Sequence, residues 1–280
     1  MSEVLPNTEG SRRRTPWPLA VVAVLFVVVP FLTWYWTWFG RSLSDEEIGK
    51  YLSEDGPRHA QHALSQVAER YEKGDAGAAR WNARVVASAS SPSPDVRMTA
   101  AWVMGVEHRS EEFRASLLKL VADPEPIVRR NAALALVRFG DPRCQPELLA
   151  MLRPYAVRAA EAGEALTALT AGSYVKRDSL LLRFTNASGE AKEVRSPLPG
   201  TVGRAAFKEG ERFETGAELF TLAPDEEQVT DALTGLYLLG GVEALPEVER
   251  YASGVEGVSG GVKTKATQTA EAIRRRSSSE

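Results

Sequence analysis

Few residues of this 280-residue chain have the type and spacing that chemistry requires. His59 and His62 are three residues apart and could share a helix face, but no cysteine or acidic cluster joins them, so no metal site is expected. The only cysteine, Cys144, follows a Gly-Asp-Pro-Arg turn and is interpreted as a small buried hydrophobe rather than a reactive thiol. A single cysteine cannot form an internal disulfide, so cysteine usage does not identify the compartment.

Sequence motifs for catalysis are also missing. There is no nucleophile elbow, phosphate loop, zinc motif or dinucleotide fingerprint, and the acidic residues fall at predicted helix caps and on solvated faces. A formal net charge of −3 argues against nucleic acid as a partner. The short basic run Arg274–Arg276 is interpreted as the end of a solvated helix, where cations complement the helix dipole. We therefore expect neither an enzyme nor a bound cofactor.

The elements that would position functional residues are indicated by a repeat. Val96–Met104 and Val128–Leu136 carry one pattern 32 residues apart, with small or apolar side chains at i, i+4, i+5, i+7 and i+8. These positions lie on one side of a helix. A repeat of this length is typical of stacked helical units that bury their apolar faces against one another. Further helices are predicted on both sides, including one at Val157–Leu169.

The repeated segments resemble a known family. Pro94-Asp95-Val96-Arg97 with Ala100-Ala101, and Pro126-Ile127-Val128-Arg129 with Ala132-Ala133, resemble the second helix of HEAT repeats. The resemblance covers residues 44–170, and residues 224–276 again resemble HEAT-like helices. It implies an α-solenoid whose Arg97 and Arg129 form a ladder with acidic groups of neighbouring units, and whose concave face is a surface for protein partners.

The N-terminal region contains a long apolar stretch, Trp17–Phe39, of 23 residues without a charge. That length spans a hydrocarbon core of about 30 Å as a helix. Aromatic residues at both ends are typical of membrane interfaces; they are Trp17 at one end and Trp34, Tyr35, Trp36 and Trp38 at the other. A cleaved signal peptide is the alternative, but its apolar region would be shorter and would end in small residues.

The charges on either side of this stretch predict its orientation. Residues 1–16 form a polar, disordered lead that contains Arg12–Arg14, whereas Asp45, Glu46 and Glu47 follow the stretch. The positive-inside rule then places the N-terminus in the cytoplasm and the bulk of the chain outside it. The expected localisation is the bacterial inner membrane, crossed once, with the rest of the chain in the periplasm.

A different pattern begins at Gly172. Tyr174–Phe184 and Ala191–Arg195 are predicted strands joined by a turn at Asn186–Gly189. Short strands continue to residue 223, and glycines are predicted where these strands turn sharply, because glycine adopts positive φ at little cost. The glycines are Gly200, Gly210 and Gly216.

Residues 194–223 resemble the biotinyl/lipoyl domain and its relative in membrane-fusion adaptors of secretion and efflux systems. The resemblance rests on Pro-Leu-Pro-Gly-Thr-Val and on Lys-Glu-Gly followed by Gly216 and Leu219. The carrier families place a modified lysine at a hairpin tip just after the strand equivalent to Leu219–Leu222. Here Ala223–Gln228 has no lysine and Lys208 belongs to another turn, so no biotin or lipoyl group is expected.

The resemblance is incomplete in a second respect. The second symmetric half of a full lipoyl domain is not evident, and the hairpin at 173–195 is expected to complete a small sandwich instead. The predicted fold is therefore mainly α: a HEAT-like solenoid with one transmembrane helix, a β barrel-sandwich module inserted at 172–223, and a tail at 277–280.

The predicted function follows from this architecture. The first hypothesis is a membrane-anchored scaffold for protein partners. The anchor favours an accessory or assembly subunit of a bacterial membrane or envelope complex, with membrane or envelope proteins as the partners. A periplasmic adaptor of a transport or efflux system is the alternative suggested by the β module. A lyase of the HEAT type is the third hypothesis and has the least support, because no catalytic constellation is visible.

Overall fold

The computed structural model describes residues 17, 21–22, 24–31, 42–53, 56–255 and 257–278. It divides into two compact units, Met1–Ser44 and Asp45–Glu280. In the first unit, residues 21–22 and 24–31 are helical and expose apolar side chains. Much of the predicted membrane span lies outside the described residues, as do Trp34, Tyr35, Trp36 and Trp38 and the lead at 1–16. Over the part of the chain that is described, no helix is both long and apolar enough to cross a membrane.

The described residues of the second unit contain ten α-helices. Short 3-10 helices precede three of them, at Ala76–Trp81, Pro142–Cys144 and Val242–Ala244. The helices are α1 Asp45–Tyr51, α2 Pro57–Glu72, α3 Asn82–Ser88, α4 Pro94–Glu107, α5 Glu111–Leu120, α6 Pro126–Arg138, α7 Gln145–Met151, α8 Glu226–Leu239, α9 Leu245–Ser253 and α10 Gly260–Ser277.

These helices pair into five successive units, α1 with α2 through to α9 with α10. The second helices, α2, α4, α6, α8 and α10, pack side by side in that order. Small residues at the centre of each allow the close approach: Ala63, Ala100, Ala132, Ala232 and Ala266 are all fully buried. At one crossing the backbones come so close that a Cβ on Gly105 would lie 2.7 Å from the Cβ of Ala135. Small side chains therefore hold the second helices in one continuous layer.

The prediction of a helix at 157–169 is wrong. Pro154 cannot continue α7, and the following residues form strands β1 (Tyr155–Arg158) and β2 (Gly163–Ala168). Their partners are far away in the sequence, because β1 pairs with a strand near residue 220 and β2 with one near residue 184. Pairing at this distance outweighs the helical propensity of an Ala-, Glu- and Leu-rich segment. The β module therefore occupies 155–223 rather than 172–223, and the helical repeats before it end at Met151.

Eight strands make up the module. The remaining six are β3 Tyr174–Val175, β4 Leu180–Asn186, β5 Ala191–Arg195, β6 Gly200–Ala205, β7 Arg212–Phe213 and β8 Glu218–Ala223. They form two antiparallel sheets with the strand orders β1-β8-β6-β3 and β5-β4-β2-β7. Both sheets contribute to one apolar core that includes Phe184, Val202, Phe213 and Phe220. The described module is thus a sandwich, and its sheets do not join into a closed barrel.

The two sheets of the sandwich repeat one another. Each strand of the first half corresponds to the strand four places later, and this substitution converts one sheet order into the other. Hydrogen bonds match as well: the Val202 N–H donates to Ser173 O at 2.9 Å, and the Ala165 N–H donates to Glu211 O at 2.9 Å. A symmetric second half is therefore present at residues 155–186, and the expectation that it is missing is wrong.

The module lies within a helical unit. It connects α7 to α8, and these two helices pack against each other as the fourth pair of the stack. Tyr155 at its beginning is the strand partner of Leu222 at its end. The chain therefore leaves the stack and returns to it at neighbouring points, which lets the helical layer continue past the insertion.

Candidate protein-interaction site

An open groove of about 570 Å³ runs along three of the second helices, α4, α6 and α8. Trp102, Leu134 and Leu238 provide its apolar surface, and Glu227, Asp231 and Arg138 provide its charges. Trp102 is 40% exposed and Leu238 is 52% exposed, so the groove presents a patch of apolar surface to solvent. We refer to this surface as the groove.

Glycines form part of the floor of the groove. Gly105 on α4 lies against Ala135, and a Cβ on Gly235 of α8 would lie 2.8 Å from Leu148 and 2.9 Å from Val137. Neither position can carry a side chain without displacing its neighbours. The backbone thus forms the surface at both helix crossings, and the apolar side chains of the groove stand above it.

The charges of the groove are concentrated on α8. Asp231 lies one turn after Glu227, and burial, followed by the nearby charges of Glu227 and Asp225, raises the pKa of its carboxyl group. Arg138 lies in the last turn of α6. The groove therefore combines apolar side chains with two exposed acidic side chains on α8, its acidic wall, and the carboxyl group of Asp231 is partly desolvated.

The two arginines predicted to form a ladder lie outside the groove, between successive units. Arg97 Nε and Nη2 donate to the carboxylate of Asp123 at 2.7 and 2.9 Å, and Nη1 donates to the carbonyls of Ser91 and Pro92. Asp123, which follows α5, belongs to the next unit. This bidentate geometry is the strongest form of carboxylate pairing.

Arg129 repeats the contacts of Arg97 32 residues later. Its Nη1 donates to the carbonyls of Asp123 and Pro124, and its Nε donates to Glu147 at 3.2 Å. Burial raises the pKa of Glu147 in spite of Arg129. For Asp123, burial opposes ionisation, but the hydrogen bonds from Arg97 and from the Glu125 N–H outweigh it and lower the pKa. Both arginines are thus occupied by the scaffold.

The glycines singled out in the module have different roles. Gly210 and Gly216 each adopt a φ of 81° in the turns before β7 and β8. Gly200 instead begins strand β6, where a side chain would overlap the carbonyl oxygen of Ala223. Gly163, its counterpart in the other half, lies in the same way against the carbonyl oxygen of Thr185, 2.8 Å from the position of a Cβ.

The segment Ala223–Gln228 is not a hairpin tip. Ala223 ends β8, and Asp225 caps α8 by accepting a hydrogen bond from the Gln228 N–H at 2.9 Å. The hairpin at the corresponding place in the other half joins β4 to β5 through residues 187–190, and it contains no lysine. Lys208 lies in the turn before β7, where its N–H donates to Glu211.

A polar junction between the module and the helices was not predicted. Arg130 on α6 is 4% exposed and donates to Gln228, whose amide in turn donates to the Pro199 carbonyl at 2.8 Å. Burial lowers the pKa of Arg130 to about 10. Arg177 in the module also pairs with Asp95 at the start of α4. The sequence signal for this junction was Arg130 itself, because this charged residue occupies the position of the apolar Met98 in the first copy of the repeat.

The other candidate residues are either buried or in contact with neighbouring residues of the fold. Cys144 is buried, and burial raises the pKa of its thiol to about 11, so little thiolate exists at neutral pH. His59 stacks on Tyr51 with ring centroids 4.4 Å apart. No group of three or more potential metal ligands occurs in the regions that the structure describes. Arg276 donates to the carbonyls of Leu236, Tyr237 and Gly240 at the end of α8, where a cation complements the helix dipole.

Trp102 and Leu134 were the signal in the sequence for the groove. They occupy the same place in the two copies of the repeat, outside the pattern of buried positions. The contribution of α8 was not predictable in the same way, because the module separates α8 from α6 in the sequence.

Comparison with known protein families gives a match in the middle of the chain. Residues 82–167 match the family described as HEAT repeats. This match confirms the HEAT-repeat interpretation for the middle of the chain. Its final residues, from 155 onward, lie in strands β1 and β2, so the helical part of the match ends with α7.

Other comparisons add little. None of the curated proteins compared with this chain is similar to it. One solved structure with a similarity is a single-chain, multi-domain long-chain acyl-CoA carboxylase, at 17% sequence identity and a TM-score of 0.25. The aligned region covers 36% of this chain and 10% of that chain, and so small a likeness carries no argument about function.

Proposed function

We propose that this protein is a membrane-anchored scaffold that binds protein partners, and that the groove is its docking surface. The observation that carries the proposal is the exposure of two large apolar side chains, Trp102 and Leu238, that line the same groove. Exposed aromatic and aliphatic side chains in a concave site are the usual anchors of a protein interface. HEAT repeats commonly mediate protein–protein interaction, and their match to residues 82–167 supports the same role.

The proposed anchor is the uncharged stretch at 17–39, with the N-terminus in the cytoplasm and the bulk of the chain in the periplasm. An anchor raises the effective concentration of a scaffold near other membrane proteins. We therefore propose that the partners are subunits of a bacterial membrane or envelope complex. An alkaline phosphatase fusion at residue 280 tests the orientation. Activity of the fusion supports a periplasmic C-terminal region, and an inactive but stable fusion contradicts it.

Site-specific photo-crosslinking in intact cells tests the docking surface. A photo-reactive phenylalanine analogue at Trp102 or Leu238 should form a discrete adduct with another membrane or envelope protein. The matched control is the same analogue at Glu112, which is exposed on α5 and does not line the groove. Adducts from Glu112 alone would refute the groove as the docking surface, and the absence of adducts at every position would refute the scaffold.

The β module favours a second candidate, an adaptor of a transport or efflux system. Its two symmetric halves support the resemblance to a biotinyl/lipoyl-like domain. We propose that this domain is a protein-binding element that carries no biotin or lipoyl group, since the hairpin at 187–190 has no lysine. The intact mass of the purified protein tests this point, and export assays after gene deletion test the adaptor. Unchanged export would remove that candidate.

A further inference from the structure

The acidic wall of the groove is not explained by the fold. Asp225 caps α8, and Glu226 accepts a hydrogen bond from the Ser259 N–H at 2.6 Å, so both have structural partners. Glu227 and Asp231 are exposed, and no hydrogen bond or ion pair to either side chain is seen among the described residues. They are four residues apart on one helix face, where like charges repel each other.

The apolar part of the groove adjoins this pair. Trp102 on α4 and Leu238 on α8 are both exposed, and Leu134 on α6 is half-buried between them. A tryptophan in such a place buries a large area at low entropic cost when a partner covers it, which is why tryptophan is enriched among binding anchors. A charged group on a partner that covers Trp102 would lie in the same groove as Glu227 and Asp231.

We propose that the groove binds a segment of a partner protein that presents an apolar side chain next to lysine or arginine. This inference rests on the proposed function and specifies the chemistry of the partner. Its apolar residue covers Trp102 and Leu134, and its cation relieves the repulsion between Glu227 and Asp231. Arg138, the single cation among the lining residues of the described groove, lies in the last turn of α6 and accommodates an acidic group beside the basic one.

Charge complementarity predicts how substitutions in the groove should change the selectivity of binding. Charged pairs at the rim of an interface mainly determine which partner binds and how fast it associates. Removing the two carboxylates should therefore alter the choice of partner more than the strength of the apolar contact. Removing Trp102 should weaken binding of every partner, whatever its charge.

Selection from a random 12-residue peptide library on the detergent-solubilised full chain tests both predictions, the one for the carboxylates and the one for Trp102. Peptides enriched on the wild type should combine a large apolar residue with lysine or arginine. The double variant Glu227→Gln/Asp231→Asn should lose that basic bias, and a synthetic enriched peptide should bind it roughly tenfold more weakly at low salt, equivalent to two lost charge pairs. Glu112→Gln is the matched control for removal of an exposed carboxylate and should leave binding unchanged.

Several outcomes would overturn the proposal. Enrichment without excess lysine or arginine, or the same bias on the double variant, refutes the acidic wall as the selective element. Concentration-dependent dimerisation that Trp102→Ala abolishes would assign the groove to a second copy of this chain. Preferential binding of a peptide containing Arg12–Trp17 would assign it to the chain's own N-terminal segment.

Failure of this inference and failure of the proposed function give different results. If crosslinking from Trp102 captures a partner whose crosslinked segment is acidic or uncharged, the scaffold stands and the inference is wrong. If crosslinks arise only from Glu112, the docking surface itself is wrong. Circular dichroism of each variant establishes that its helices are intact, so that lost binding is assigned to the groove.

Discussion

The helical stack and the β module are both made of internal repeats, but the repeats combine in opposite ways. In the stack, one unit follows another and each second helix packs beside the previous one, so the layer keeps an open side that contains the groove. In the module, two halves at residues 155–186 and 191–223 face each other across a single core, with Gly163 and Gly200 as counterparts. Stacked repeats leave one face of the helical layer open, whereas the two paired halves of the sandwich bury their apolar faces against each other.

The same contrast applies to charge. The stack contains a well-buried ion pair, Arg97 with Asp123, whose side chains are 12% and 6% exposed. The module has its ion pairs on the outside, such as Arg212 with Glu164 at 85% and 43%. Units that stack need a directional contact to set their register, whereas a sandwich sets its register through strand hydrogen bonds and a shared core.

The largest expected effects come from truncating one buried side chain in the core of each region. Phe220→Ala in the module and Leu136→Ala in α6 each remove a fully buried side chain and should cost about 3–5 and 2–5 kcal/mol respectively. By hydrogen exchange, Phe220→Ala should lose protection mainly at 155–223, whereas Leu136→Ala should loosen α4, α6 and α8 together. Equal loss throughout the chain in both variants would show that the two regions form one cooperative unit.

Removal of the buried ion pair should have the next largest effect. Asp123→Ala leaves the Arg97 guanidinium without its carboxylate and should lower the free energy of unfolding by about 3 kcal/mol. Glu164→Ala breaks the exposed pair of the module and should cost less than about 1 kcal/mol. Chemical denaturation measures both. Similar losses would contradict the idea that only the stack depends on a directional charge contact.

The helices were largely predictable from sequence because their determinants are local. The bounds of α4, α5 and α6 follow from apolar spacing and from Pro94 and Pro126 in their first turns. Strands β1 and β2 of the module were not predictable, because they take their form from pairing with strands up to 67 residues away. The groove was partly predictable, because Trp102 lies outside the pattern of buried positions in the repeat. The acidic residues on α8 were not, because the inserted module separates α8 from α6 in the sequence and only the fold brings the two helices together.

A smaller effect concerns glycines at close approaches in the two regions. Gly105→Ala forces a Cβ to within 2.7 Å of Ala135, and Gly163→Ala forces one into the ring of Phe184 and to within 2.8 Å of the Thr185 carbonyl oxygen. Each should cost about 1–3 kcal/mol, since the obstacles are backbone, a short side chain or a ring packed in the core and not the end of a flexible side chain. Thermal unfolding compares the two variants. If only Gly163→Ala destabilises, the helices can move apart where the sheets cannot.

Stability in acid should depend on the stack through Asp123. Its pKa in the folded state is lowered, so its contribution is complete above the unfolded value of about 3.9 and is lost as the pH falls toward the folded value. Asp123→Asn should therefore flatten the loss of stability below pH 4. Part of the pH dependence of stability should remain in that variant, because the pKa of Asp141 is also lowered, by its hydrogen bond from Arg143. An unchanged slope in Asp123→Asn would contradict this assignment.

The smallest expected effect uses Cys144, the only thiol of the chain, as a probe of the fourth helical unit. Burial and its raised pKa should make its alkylation at pH 8 slow until that unit opens. Phe220→Ala should leave the alkylation rate nearly unchanged if the module opens independently. A large acceleration in that variant would show that opening of the module also opens the helices on either side.

The adjacency of Tyr155 and Leu222 has an evolutionary consequence. Because the first and last strands of the sandwich are neighbours, a helical array could have acquired the whole β module as one inserted segment without a change in the positions of α7 and α8. The same adjacency permits its loss in a single deletion. Homologous genes with and without this segment are therefore expected to share the residues that pack α6 against α8.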